Sequence, residues 1–145
     1  MDVEVTRGVC ETLHSEAARA APNECCGLLL GAPGQGEGQG EGRSDRAGPE
    51  RIVALLPARN VDSDPARRFE IDPLVLLRAH RAAREGGPRV LGYYHSHPTG
   101  NPAPSATDAE HSTGDWRIWA IIGGRDIAFW RDRGNGFDAL AFRVV

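Results

Sequence analysis

The chain has 145 residues, with 17 basic and 20 acidic side chains, a formal charge of -3 and 40% hydrophobic residues. That length suits one domain spanning 1–145 that buries its own core without staples. The mild acidity and the lack of a basic stripe argue against a nucleic-acid partner, and no apolar run approaches the roughly 20 residues needed to span a bilayer. Met1-Asp2-Val3-Glu4-Val5 lacks the basic start and apolar core of a signal peptide. Three cysteines, two of them adjacent (Cys25 and Cys26), cannot build a disulfide framework, so a reducing cytoplasm is the expected location.

Taken in chain order, Thr6 is placed to cap a helix to about Ala20, with Val9, Leu13, Ala17 and Ala20 on one face. Pro22 and Asn23 end it. The first strand is then expected some two dozen residues in, at Cys25-Cys26-Gly27-Leu28-Leu29-Leu30, an apolar run suited to a strand covered on both faces and closed by Gly31. Residues 32–49 are dominated by glycine and charge and predict a flexible loop. Gly36, Gly38 and Gly40 mimic part of a dinucleotide fingerprint, but no helix follows and no apolar strand immediately precedes, so a phosphate cradle is excluded.

Arg51 to Leu56 predicts the next strand, ended by Pro57, and a polar connection through Asn60, Asp62, Asp64 and Pro65 follows. Asp72-Pro73 predicts a helix start with aspartate as cap and proline at the first position, and Gly86-Gly87 its stop. Arg89 to Tyr94 predicts a third strand and Ser105 to about Thr113 a short helix. Ile118–Ile122, Ile127–Arg131 and Ala139–Val144 complete the strands, with Gly123-Gly124 and Gly134-Asn135-Gly136 as turns. Helices alternate with strands early and hairpins dominate late, which predicts a mixed α+β fold: a central mixed sheet flanked by helices.

Chemistry concentrates between Tyr94 and Asp108. In extended backbone side chains alternate between faces, so His95 and His97 point the same way and can meet one ion. Asp108 would arrive from the next element as a third ligand, leaving one tetrahedral position open, as in catalytic rather than structural zinc sites. Ser105-Ala106-Thr107-Asp108 also reads as a helix cap close to a capping box. Capping alone leaves the two histidines unexplained, and both roles can share the residues. His111, three residues after Asp108, reads as a surface or packing residue. His14 and His80 read as structural, Cys25 and Cys26 as small core residues, and Trp116, Trp119 and Trp130 as packing aromatics in or beside late strands.

His95-Ser96-His97, seven intervening residues, Ser105, two more and then Asp108 resembles the motif of the JAMM (MPN+, Mov34/JAB) zinc metalloprotease family, small prokaryotic stand-alone type. Pro22 to Gly31 is similar to that family's segment carrying its catalytic glutamate, and the resemblance extends over essentially the whole chain. It implies a single MPN/JAB domain related to the cytidine deaminase-like fold and one zinc per chain held by His95, His97 and Asp108. It further implies Glu24 as the base that moves a proton from water to the leaving amine, a choice that spacing alone does not make among ten glutamates. Ser105 would donate to the oxyanion. The implied substrate is a ubiquitin-like or sulfur-carrier protein cut after a C-terminal Gly-Gly. The alternative is a non-catalytic MPN-type interaction module, disfavoured by the complete residue set. A cytidine deaminase is excluded because His-x-Glu and Pro-Cys-x-x-Cys are both missing.

Overall fold

A computed structural model describes residues 2–34 and 49–145. Most of the predicted Gly-rich loop, residues 35–48, lies outside the described residues. The chain opens with strand β1 (Val3–Val5) and helix α1 (Arg7–Ala20). Thr6 caps α1, its Oγ1 accepting from the Val9 N–H at 3.2 Å, and Val9 and Leu13 are the helix's buried face. Strands β2 (Cys26–Pro33), β3 (Glu50–Ile52) and β4 (Ala54–Ala58) follow, then helix α2 (Pro73–Arg84). Asp72 caps α2 through a 3.0 Å bond from the Leu74 N–H, with Pro73 in the first turn as expected. Strand β5 (Pro88–His97), helix α3 (Ala106–His111) and strands β6 (Ile118–Gly123), β7 (Asp126–Asp132), β8 (Phe137–Leu140) and β9 (Phe142–Val144) complete the fold.

Six strands form a mixed sheet in the order β4-β2-β5-β6-β7-β8, and β3-β1-β9 form a small parallel sheet. Within the large sheet β5 and β6 run parallel, joined across α3, while the other pairs are antiparallel. One core joins α1 and the small sheet to the face carrying Leu29, Leu91, Tyr94 and Ile122. A second core lies on the α2 side, around Leu28, Ala79, Ala83, Val90 and Trp119.

The sequence-based boundaries need five corrections. The first strand is β1, not the segment at Cys25: its three residues are all buried between two parallel neighbours, with Glu4 paired to Arg51 and Arg143. Gly31 does not close β2, which continues to Pro33 against Pro88. The run from Arg51 is not one strand: Ile52 belongs to the small sheet and Ala54 to the large one, with exposed Val53 at the crossing. Ala139–Val144 divides in the same way at Ala141, whose carbonyl accepts from the Asp2 and Val3 N–H groups. Pro57 does not end β4, because an edge strand tolerates a missing donor.

A register shift between Leu29 and Leu30 marks a bulge where β5 passes Gly92. It lets Leu91 and Tyr94, three apart, reach the same core and puts Tyr93 with the α2-side core, on the face shared by His95 and His97. Gly92 is also where β5 presses against β6. A Cβ there would sit 1.8 Å from the Ile118 carbonyl oxygen. Gly92→Ala is therefore expected to destabilise the protein by at least about 1–3 kcal/mol in urea denaturation, the range of forced overpacking.

Candidate metal centre

The C-terminal end of β5 delivers His95 and His97, and the first turn of α3 delivers Asp108. All three are buried, at 0%, 8% and 3% exposure. His95 Nε2 and His97 Nε2 lie 3.1 Å apart, and Asp108 Oδ2 is 3.2 Å from the first and 3.1 Å from the second. Four ligands about 2.0–2.1 Å from a zinc are about 3.3 Å from one another in a tetrahedron, so this triangle fits one face of such a site. The donor chemistry agrees. His97 Nδ1 contacts the Asn101 carbonyl at 2.6 Å, a bond that only its N–H can make, so in the neutral imidazole it is Nε2 that carries the lone pair a metal needs.

Asp108 is fixed by the cap expected from the sequence. Ser105 Oγ accepts from the Asp108 N–H at 3.0 Å, and the Ser105 N–H donates to Asp108 Oδ2 at 2.9 Å, a reciprocal capping box. The capping and ligand readings coincide in the same atoms. Ser105 itself is exposed, and its hydroxyl proton is not used by the cap.

Glu24 stands in the turn before β2, at 6% exposure, with its backbone held from three sides. Its N–H donates to the Pro65 carbonyl at 2.7 Å, its carbonyl accepts from Asn60 Nδ2 at 3.0 Å, and the next N–H, of Cys25, donates to Ser96 Oγ at 2.8 Å. Ser96, between the two histidines but on the opposite face, thus ties the Glu24 turn to the strand bearing them. Asn60 does more: its amide also donates to the Arg68 carbonyl at 2.9 Å and accepts from the Asp62 and Glu70 N–H groups, each at 3.1 Å. That bonding folds residues 60–70 against the site.

The electrostatics follow from burial and the cluster. Burial pushes the Glu24 carboxyl up to about 7; the charge of His97 opposes this, and those of Asp108 and Asp62 reinforce it. Burial pushes His95 down. For His97 burial acts the same way, but the Asp108 bond and the Asn101 carbonyl outweigh it and raise the net value. Burial alone would raise Asp108, yet its bonds with both histidines hold it well below the carboxylate range. The structure therefore joins a carboxylate that stays ionised to a second, Glu24, poised to exchange a proton near neutral pH.

Phe69 and Asn60 belong to this neighbourhood although the sequence marked neither as a site residue. The Phe69 ring stacks on His95, with centroids 4.2 Å apart and planes at 17°. The Asx-rich run Asn60-Val61-Asp62-Ser63-Asp64 was the available signal for Asn60, since such side chains organise turns. Nothing local marked Phe69. His111 is exposed and meets the Phe69 ring edge-on at 6.4 Å, in keeping with a packing role. Cys25 and Cys26 are buried, and burial pushes the Cys26 thiol up to about 12, which suits core residues and not nucleophiles.

Residues 6–133 match the domain family described as prokaryotic homologs of the JAB domain. The chain is 32% identical over 122 residues to a probable TtuB-protein conjugate cleaving protease of Thermus thermophilus, covering 84% of this chain and 70% of that one. It is 31% identical over 105 residues to a desampylase of Haloferax volcanii, covering 72% and 66%. A solved structure of a protein from Desulfitobacterium hafniense superposes with a TM-score of 0.78 at 25% identity, covering 99% of this chain and 92% of the other.

Proposed function

The chain belongs to the prokaryotic JAB-domain family, and from that premise we propose that it is a zinc-dependent hydrolase of peptide or isopeptide bonds. Its substrate is the bond that follows the C-terminal Gly-Gly of a ubiquitin-like or sulfur-carrier protein. The convergence of His95, His97 and Asp108 on one point, with buried Glu24 beside them, is the observation that carries this reading. The names of the relatives support the substrate class: one cleaves TtuB-protein conjugates and another is a desampylase.

His95 and His97, through Nε2, and Asp108, through a carboxylate oxygen, would hold one zinc per chain. A zinc bound there supplies Lewis acidity and a water that ionises near pH 7. Glu24 accepts the proton of the attacking water on its carboxylate and returns it to the nitrogen of the leaving amine. The Ser105 hydroxyl, free of any role as a donor in the cap, donates to the scissile carbonyl oxygen as that oxygen gains charge. Gly-Gly suits such a site, since glycine lets an extended backbone approach closely. The three cysteines are free, as a reducing cytoplasm would leave them.

Ser105→Ala is expected to lower kcat by about 100- to 1,000-fold, the usual cost of one oxyanion donor. The zinc content should be unchanged, because the Ser105 N–H still fixes Asp108. Steady-state kinetics on a carrier joined through its Gly-Gly to a lysine amine tests the whole reading. Release of the carrier with its Gly-Gly end intact is expected, and no release by the zinc-loaded protein would count against it.

A further inference from the structure

The Asn101 carbonyl, which takes the His97 Nδ1–H at 2.6 Å, belongs to a loop held from outside by the β6–β7 hairpin. We propose that Gly123 and Trp130, on that hairpin, are positioning residues for the metal centre: they clamp the loop so that the Asn101 carbonyl keeps the His97 ring in its ligating orientation. The proposal rests on the zinc-site reading above.

The loop's own sequence supplies a first, local constraint. Pro102 follows Asn101, and its ring drives the residue before it toward extended backbone, which limits where the Asn101 carbonyl can point. The Gly100 N–H donates to the His97 carbonyl at 2.9 Å, and the Ala103 N–H donates to Asn101 Oδ1 at 3.1 Å. These bonds shape the turn. They do not fix it against the rest of the protein, because every partner lies within the loop or at its start.

Gly123 provides the first outside contact. It ends β6 and pairs in register with His97, which ends β5. Without a side chain at 123, the loop can fold back directly over the end of β6. A Cβ there would lie 2.6 Å from both the Asn101 carbonyl carbon and the Pro102 nitrogen, and 2.9 Å from the Gly100 carbonyl carbon. The first two atoms belong to the peptide unit whose oxygen accepts from His97. All three are backbone, so a methyl group would have to push that peptide away.

Trp130 provides the second, one residue further along the loop. From β7 its indole N–H donates to the Pro102 carbonyl at 3.1 Å, and its half-buried ring packs against the α2-side core. The donor is thus mounted on a strand, and a strand places a supporting group more precisely than a loop does. A ligating histidine is oriented by the bond its other nitrogen makes, and such supporting partners are worth about 10- to 100-fold in metal affinity.

Zinc dissociation constants from chelator competition test this without turnover, and cobalt substitution reads the ligand geometry. Gly123→Ala is expected to weaken zinc binding by about 10- to 100-fold, and Trp130→Phe, which keeps an aromatic ring but loses the N–H, by about 10-fold. In both variants the visible absorption bands of the cobalt-loaded protein should shift or weaken, because the His97 imidazole is no longer firmly aimed. Trp130→Phe decides even where Gly123→Ala fails to fold. A lower Tm for metal-free Trp130→Phe, with zinc affinity and cobalt bands as in wild type, would show a packing role alone and overturn the proposal. Zinc bound by wild type, held less tightly by the variants, and no cleavage of a Gly-Gly conjugate would sink the hydrolase reading and leave the clamp standing. Wild-type protein that binds no zinc would sink both.

Discussion

Replacing Glu24 by glutamine is expected to lower turnover by about 100- to 10,000-fold, the share usually owed to general acid–base catalysis, while the protein keeps its zinc. Glutamine fills the same space and leaves the backbone bonds to Pro65 and Asn60 in place. It can neither accept the proton of water nor return it to an amine. The same substitution should stabilise the metal-free protein at alkaline pH. Burial raises Glu24 from the ordinary 4.5 to about 7 in the folded chain, so ionisation favours the unfolded chain. The resulting cost is absent below about pH 4.5, grows as pH rises and is complete above about pH 7. Calorimetry should therefore find the variant's Tm a few degrees above wild type at pH 8 and equal to it at pH 4. A cation in the cluster favours the ionised carboxylate, so the gap should narrow in the zinc-loaded protein. A Tm below wild type at pH 8 would show that Glu24 is not held at a cost.

His97→Ala gives the second large effect, in the opposite pattern. Removing one of the three proposed ligands is expected to weaken zinc binding by at least about 100-fold, beyond what loss of a supporting contact costs. Hydrolysis should become undetectable. The two variants together separate holding the metal from moving the proton, since one loses zinc and the other does not. Zinc measured by mass spectrometry after gel filtration decides it, and one zinc per chain retained by His97→Ala would remove His97 from the ligand set.

Where the candidate site was legible in the sequence, the reason was locality. His95, His97, Ser105 and Asp108 lie within one strand, loop and helix start, so period-two alternation and the capping pattern carry over directly into space. Both helix starts could be read for the same reason, because Thr6 and Asp72 act on N–H groups two or three residues away. Glu24 is different. Its place is set by Asn60 and Ser96, 36 and 71 residues distant for the bonds at Glu24 and Cys25, so only the family resemblance marked it. Phe69 reaches His95 through the same long-range folding of residues 60–70. The sheet crossings at Val53 and Ala141 were invisible because neither the run from Arg51 nor that to Val144 contains a glycine, proline or polar cluster where the chain changes sheets.

The most direct measurement is the intact mass of the products when a Gly-Gly-tailed carrier, joined to a lysine-bearing protein, meets the zinc-loaded chain. The masses expected are those of the carrier with its Gly-Gly carboxylate and of the unmodified acceptor. Cleavage should vanish after chelation and return when one equivalent of zinc is added. Products cut elsewhere, cleavage that persists in the metal-free protein, or an intact conjugate after incubation with the zinc-loaded protein would contradict it.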